Sequence, residues 1–446
     1  MTDITRAAWA DYLFEQQGVV VELYPSEAPF LAELSGFDAK ARATDRHSKV
    51  RRISEEMDGG RDLFVGGQQV RHTLKMAGLP GGGNPTENST WNQPHAPDTE
   101  KALINLVRFL IPFAITVDLE RDSMNNSNAE AVAENIKDAR IAMAKLQNLE
   151  YIGDGTGLNG VITDGATSLT TTISAATFNP DVLLPGTVWD VRTRASGADP
   201  GQGNRRRIVS VNETTRVVTW DTAQQASDGG SGSIVHTSAD GIYVPGLGNA
   251  AGTGGPFNTA GTQAAQGLEQ AAAITGTFEG VDKAVFPQWQ GTDGRVGDTT
   301  VVPLSQQVLD TAVRRGRRSG IGAWDYGLGD PAAIDVFKQG LYSLGRYELE
   351  VTTLKSGFSG IVYDGSDRPF PMIKEPMHAK SAVKLIPMEA FILYGDKVGP
   401  KFLDDDGSMW RRFNRALPKE ADLLDRTQLG VKACNQLVFL GNLAVT

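Results

Sequence analysis

The residues that could do chemistry are few and scattered. The five histidines, His47, His72, His95, His236 and His378, lie far apart along the 446-residue chain. No two have the spacing of a metal-binding pair, so satisfied or surface histidines are the plainer expectation, with a cluster built by the fold left open. Asp404-Asp405-Asp406-Gly407 invites a calcium loop. An EF-hand with Gly407 sixth would need Phe402 first and Phe413 twelfth, and neither can ligate calcium. That run therefore reads as a hairpin turn. Gly246-x-Gly248 has Ala251 where a dinucleotide-binding fingerprint needs its third glycine, and reads as a flexible loop. There is no Walker-type phosphate loop and no nucleophile elbow. No catalytic, cofactor or metal residue is assigned.

Two arginine clusters carry charge without an obvious catalytic partner. Arg314, Arg315, Arg317 and Arg318 surround the end of a helix expected over residues 305–318, where positive charge suits the macrodipole. Arg205 to Arg207 precede an expected strand. Neither cluster is interleaved with the aromatic platform that single strands use. Both read as inter-subunit salt-bridge donors in preference to DNA contacts, because the planar guanidinium pairs bidentately with carboxylates. The basic run KARATDRHSKVRR, residues 40–52, reads as a solvated or ion-paired face.

Composition narrows the class. Lys and Arg number 43 against 53 Asp and Glu, a formal charge of −10, so the overall field does not draw nucleic acid. The single cysteine, Cys434, forms no intramolecular disulfide and fits a reducing compartment. The opening MTDITRAAWADYLFEQQG lacks a basic segment followed by an apolar one, so no signal peptide is expected. No run reaches the ~20 apolar residues of a membrane span. The longest, residues 103–117, is broken by Asn105, Arg108 and Pro112. A chain of this length is expected to form two or more domains.

The strongest element signal lies at residues 113–158. A short alternating strand leads through an acidic turn to Ser127 and Glu130, which have capping-box spacing. Val132, Ile136, Ala139, Met143 and Leu146 then recur at steps of four and three, one apolar stripe on a helix of roughly 25 residues. Gly153, Gly155 and Gly157 are placed to stop it. Before it, Phe64, Val65, Val70 and Leu74, then Leu103, Ile104, Leu106 and Val107, form two runs around the apolar-poor segment 78–97. Such a two-stranded projection is not stable alone and needs a partner surface. Residues 1–50 read as an extended arm with one short helix.

After the helix, residues 184–191 and 208–220 are strand signals. The second reads as a hairpin with Val209 and Val211 facing Val217 and Thr219 across NETT. Residues 181–245 thus form a small β insertion, followed by a glycine-rich segment at 246–261. A second later helix is expected to start at Asp330-Pro331, with Ile334, Phe337, Leu341 and Leu344 as its buried stripe. Strands are expected at 360–363, 391–394, 401–403, 409–413 and 436–445.

This order resembles the major capsid proteins of tailed bacteriophages, the Hong Kong 97-type fold. The carriers are Asp122-Ser123 before the long helix and Gly153 to Gly157 after it. Further carriers are Phe286-Pro287-Gln288-Trp289, Gly345-Arg346-Tyr347, Gly357-Phe358, Pro400-Lys401-Phe402-Leu403 and Leu440-Gly441-Asn442-Leu443. The resemblance implies an α+β fold: N-terminal arm (1–52), extended β loop (53–107), peripheral domain with the spine helix (108–152 and 380–420) and axial domain (153–379 and 421–446). It implies a non-enzymatic, cofactor-free shell protein located in the virion capsid and assembled in the host cytoplasm. The implied partners are copies of itself in hexamers and pentamers, portal, scaffold and decoration proteins, and DNA held without sequence-specific binding; no membrane is implied. The expected contact residues are Lys75, Trp91, Arg314, Arg315, Arg317, Arg318, Trp410, Arg411 and Arg412. Some members join subunits by a lysine–asparagine isopeptide bond beside a glutamate. Lys75, Asn414 and Glu420 are of those types, at a spacing that ordinary surface residues also meet. An encapsulin-type shell around protein cargo, or a β-rich enzyme with carboxylates that sequence cannot pair, are the alternatives.

Overall fold

The computed structural model describes residues 30–31, 63–65, 69–76, 99–115, 129–194, 205–224, 233–238, 240–245, 264–295, 299–318, 324–343, 351–353, 359–363, 369–395, 401–403 and 419–444. The expected arm, apart from residues 30–31, lies outside these. So do the basic run 40–52, the loop segment 78–97, Ser127, the glycine-rich segment 246–261, and the strand at 409–413. The class is α+β, as expected.

The long helix α1 spans Ala129–Ile152. Ile136, Ala139 and Met143 are buried along it and Leu146 is half-buried, so the described part of the stripe faces the core. Gly155 and Gly157 follow with φ of 80° and 72°, a conformation that costs glycine no side-chain clash. Gly153 does something else: its N–H closes the last turn on the carbonyls of Leu149 and Glu150, at 3.1 and 3.2 Å.

The bed for α1 is a four-stranded sheet. Val107–Ile115 pairs antiparallel with Lys419–Val431, from Val107↔Thr427 to Ile115↔Lys419. Phe391–Gly395 and Lys401–Phe402 pair with other parts of the same long strand. Period-two alternation turns Phe109, Ile111 and Phe113 one way and Arg108, Leu110 and Pro112 the other. The first set packs in the main core beside Met143, Tyr151 and Leu423. The Phe109 and Tyr151 rings meet edge to face, 5.8 Å between centroids. On the second face Arg108, Leu110 and Pro112 are exposed.

The two expected runs pair, but within a three-stranded sheet whose outer strand is Leu63–Val65, and Val107 leaves them for the sheet under α1. Gln69–Lys75 pairs with Thr99–Asn105 in the register Val70↔Ile104 and Leu74↔Glu100, which buries Val70, Leu74, Ala102 and Ile104 on one face. Leu103 points to the other face and is half-buried.

After α1 comes a six-stranded sheet. Its order is Leu158–Val161, Gly241–Tyr243, Val188–Arg192, Arg206–Asn212, Val217–Gln224, Thr170–Thr172. The expected hairpin is there, but its register is one residue off. Val211 sits opposite Val218 and Asn212 opposite Val217. The turn takes residues 213–216, with Arg216 at φ 58°. Val209 falls where the register shifts between Ser210↔Thr219 and Ile208↔Trp220. It is the extra residue of a bulge, and it is 52% exposed instead of packed.

The short helix α2, Leu268–Ala272, leads to a seven-stranded mixed sheet. Helices α3, Gln306–Arg318, and α4, Pro331–Ser343, share a core with that sheet through Leu309, Ala312, Val313, Ile334, Phe337, Val383 and Val438. Asp330 caps α4, its Oδ1 accepting the Ala332 N–H at 3.3 Å, and Leu341 completes the described stripe. The expected strand at 436–445 is shorter. Cys434–Gln436 is a 3-10 turn, Val438–Leu440 is the strand, and Asn442, at φ 54°, ends it.

Candidate functional site

The last two turns of α1 hold the densest buried polar chemistry of the described residues. On a helix, residues three and four apart share a face, so Gln147, Glu150 and Tyr151 point together, with Asn148 beside them. Each is taken up by a different part of the chain. Gln147 Nε2 donates to Asp425 Oδ2 at 2.7 Å, and the Tyr151 hydroxyl meets Thr427 Oγ1. Asn148 Nδ2 donates to Glu375 Oε1 at 3.1 Å, and Asn148 Oδ1 accepts the Leu31 N–H at the same distance. Glu150 Oε2 accepts the Ala265 N–H at 2.8 Å. One helix end thereby ties together the sheet bed, residues 30–31, the strand end at Glu375 and the segment before α2.

Packing leaves no slack there. A Cβ on Gly267 would stand 2.3 Å from the Gly153 carbonyl oxygen, so only glycine lets the segment before α2 reach the end of α1. Burial pushes the carboxyls of Glu150 and Glu375 up to about 7, in each case partly offset by donated backbone N–H bonds. Nearby, Lys283 is buried and its Nζ donates to the carbonyls of Gln270, Ala271 and Ala273 at 2.8, 2.7 and 2.7 Å, closing the end of α2. Burial lowers the pKa of that ammonium.

These groups are locked by one another, which suits a rigid joint and not a reaction centre. Among the described residues no three His, Cys, Asp or Glu side chains come together as a metal site. His236 and His378 are both buried. His236 Nε2 lies 3.4 Å from Asp164 Oδ1, whereas the His378 ring bonds the Ala379 carbonyl at 2.9 Å. Cys434 is buried, and burial raises its thiol pKa well above the ordinary value. A shallow hollow lined by Ser210, Asn212, Glu213, Thr215 and Thr219 pairs no nucleophile with a base. No helix among the described residues is long and apolar enough to cross a membrane.

The described residues among those singled out from sequence do not converge on one place. Lys75 ends its hairpin strand, opposite Thr99, and is exposed. Arg314 and Arg318 are exposed at the end of α3, and Arg315 donates to the Asp293 carbonyl at 2.8 Å within the chain. Arg317 is half-buried. Trp91, Trp410, Arg411, Arg412, Asn414 and the Asp404–Gly407 run lie outside the described residues, as do His47 and His95. Glu420 is exposed on the long strand. The joint at the end of α1 was not foreseen. Its signal was present, since Glu150 occupies the next stripe position after Leu146, and a carboxylate on an apolar stripe asks for a buried partner.

No protein-family model matches the chain, and no curated protein does. Solved structures do resemble it. A chain of the cyanophage A-1(L) capsid asymmetric unit is 12% identical, with a TM-score of 0.49, over 94% of this chain and 93% of that one. A chain from Mycobacterium phage Bobi is 9% identical, with a TM-score of 0.38, over 86% and 88%. The SrpI encapsulin of Synechococcus elongatus PCC 7942 is 16% identical, with a TM-score of 0.27, over 35% of this chain and 53% of that one.

Proposed function

We propose that this chain is a major capsid protein of a tailed bacteriophage, a structural subunit that tiles an icosahedral shell around double-stranded DNA. The observation that carries this reading is the 24-residue helix α1 laid on a sheet whose first strand directly follows a projecting hairpin. Hairpin, bed strand, spine and glycine turn succeed one another in the order that the Hong Kong 97-type resemblance implies. The work of such a subunit is mechanical. A spine fixed at one end by a buried polar joint transmits load without bending there, and while Ile392 and Tyr394 cover Val70 and Ile104 of the hairpin within the chain, the apolar-poor segment 78–97 at its tip finds its cover on a neighbour.

Closure of a shell requires heterologous contacts that complete rings, here hexamers and pentamers. In this reading the segment 78–97, with Trp91 and the flanking Lys75, lies across a neighbouring subunit. Trp410, Arg411 and Arg412 sit where rings meet, and Arg314 and Arg318 reach carboxylates of another copy. The net charge of −10 keeps the wall from gripping DNA phosphates, which aids packaging and ejection. The chain performs no catalysis, belongs to the virion capsid, assembles in the host cytoplasm, and meets portal, scaffold and decoration proteins there. The arm, loop, peripheral and axial divisions given above are part of the same proposal.

Negative-stain microscopy of the purified protein is the test. Closed shells, or hexameric and pentameric rings, are expected. Small monodisperse particles at every concentration and ionic strength overturn the reading. Shells filled with protein cargo in place of DNA move it to the encapsulin type.

A further inference from the structure

The four-stranded sheet has two faces, and α1 takes one of them. On the other, directly opposed residues of neighbouring strands point the same way. Arg108 therefore stands beside Arg426, Leu110 beside Leu424, Pro112 beside Asp422 and Ala114 beside Glu420. The chain covers one end of this face itself: Ile392 and Tyr394, opposite Gly430 and Gln428, carry Val70 and Ile104 of the hairpin. Past that end the face is open. Arg108, Pro112 and Glu420 are exposed, and Leu110 is 42% exposed. Asp422, Leu424 and Arg426 are half-buried.

Charge is sorted along this open patch. Arg108 and Arg426 lie at the end nearest the hairpin, Leu110, Leu424 and Pro112 in the middle, and Asp422 and Glu420 at the far end. Arg108 and Asp422 are four positions apart along the ladder, about 13 Å at 3.3 Å per residue, too far to pair within one chain. A half-turn about an axis lying in the sheet plane, across the strands at Leu110, brings the basic end of one copy over the acidic end of another. The same turn brings the second basic end over the first acidic end. Such a patch is self-complementary, the condition for an isologous contact. Two copies each carrying a net charge of −10 repel unless their local charges match, and here they match.

We propose that this open sheet face is a contact surface for a second copy of the chain, related by a two-fold axis beside Leu110 and Leu424. Arg108 of each copy meets the Asp422 and Glu420 end of the other, and the leucines are closed from water between them. The open part of the two strands is roughly 20 Å long and 10 Å wide, a few hundred Å² per copy, so a single contact is weak. It is separate from the contact given to segment 78–97, and it stands or falls without the shell reading.

Charge reversal in the full-length protein tests it, with association read by sedimentation velocity up to about 1 mM, where weak contacts are populated. None of the three charged positions belongs to the buried core, so the variants keep the fold. Arg108→Glu sets acid against acid, and Glu420→Lys combined with Asp422→Lys sets base against base. Each should raise the concentration needed for association about tenfold or more. An equimolar mixture of the two variants should recover the association of the unmodified chain, because a mixed pair has opposite charges at both ends. An unmodified chain that stays monomeric throughout overturns the proposal. Unchanged association in either variant overturns it too. So does a mixture no better than its parts, which assigns this face to a different surface.

Discussion

Gln147 and Asp425 are 278 positions apart in sequence and 2.7 Å apart in space, and their bond fastens the spine helix to the longest strand. Both are buried, and Asp425 also accepts the Arg426 N–H at 2.9 Å. A carboxylate so placed depends on its donors. Gln147→Ala should leave Asp425 short of a partner and cost roughly 1–3 kcal/mol, read as a lower denaturation midpoint. An unchanged midpoint would show that water replaces the glutamine at no cost.

Two buried carboxyls contribute to the pH dependence of stability above the range in which buried His378 acts. Glu150 and Glu375 ionise near 4.5 when solvated and at about 7 when folded. Between those values the folded chain binds the more protons. Their favourable contribution is therefore full below 4.5 and lost as pH rises through 7, up to roughly 3 kcal/mol for each group. Thermal midpoints should fall between about pH 5.5 and about pH 8, and Glu150→Gln should flatten part of that fall.

The apolar stripe can be tested by charge. Ile136 is 3% exposed, and Ile136→Asp buries an unpaired carboxylate at a cost of several kcal/mol. Insoluble protein, or soluble protein that forms no shells, is the expected result. Normal particle yield would show that this face is not needed.

Much of this architecture could be read from residue order, and the exceptions share a cause. The stripe Ile136, Ala139, Met143 fixes α1 because period and burial agree. Asp330-Pro331 fixes the start of α4 because cap and ring geometry agree. The strand Lys419–Val431 is hidden in the sequence because its alternation is broken by Leu423-Leu424 and by Asp425, a buried acid whose partner Gln147 lies 278 positions away. The hairpin at 206–224 was found, but its register was not. The turn over 213–216 offsets the first pairs by one, the bulge at Val209 cancels that offset at Ile208↔Trp220, and nothing local in VSVNETTRVV announces either. The joint of Asn148, Glu150 and Glu375 needed contacts more than a hundred residues apart.

Covalent joining of subunits is decided by a denaturing gel of mature particles. Lys75 is exposed at the end of its strand and Glu420 is exposed on another. Asn414 lies outside the described residues, and among the described residues neither side chain meets a cation or carboxamide that would prepare an amide-forming step. We expect a single band at 47.8 kDa. A ladder that disappears in Lys75→Ala would reverse that expectation and assign Lys75 a covalent role.

The pairing of residues 107–115 with residues 419–427 also governs how the protein is born. The spine helix leaves the ribosome early, yet its bed cannot close until almost the entire chain has followed. At ~5–20 residues per second that interval is on the order of tens of seconds, during which the stripe of Ile136 and Met143 has no sheet to lie on. Contacts of such long range also form slowly, since loop closure precedes any gain from packing. Nascent chains therefore pass through a stage with an uncovered greasy rod, and chaperone supply during synthesis should set the yield of usable subunits. That same delay keeps an incomplete chain from presenting α1 on a finished sheet.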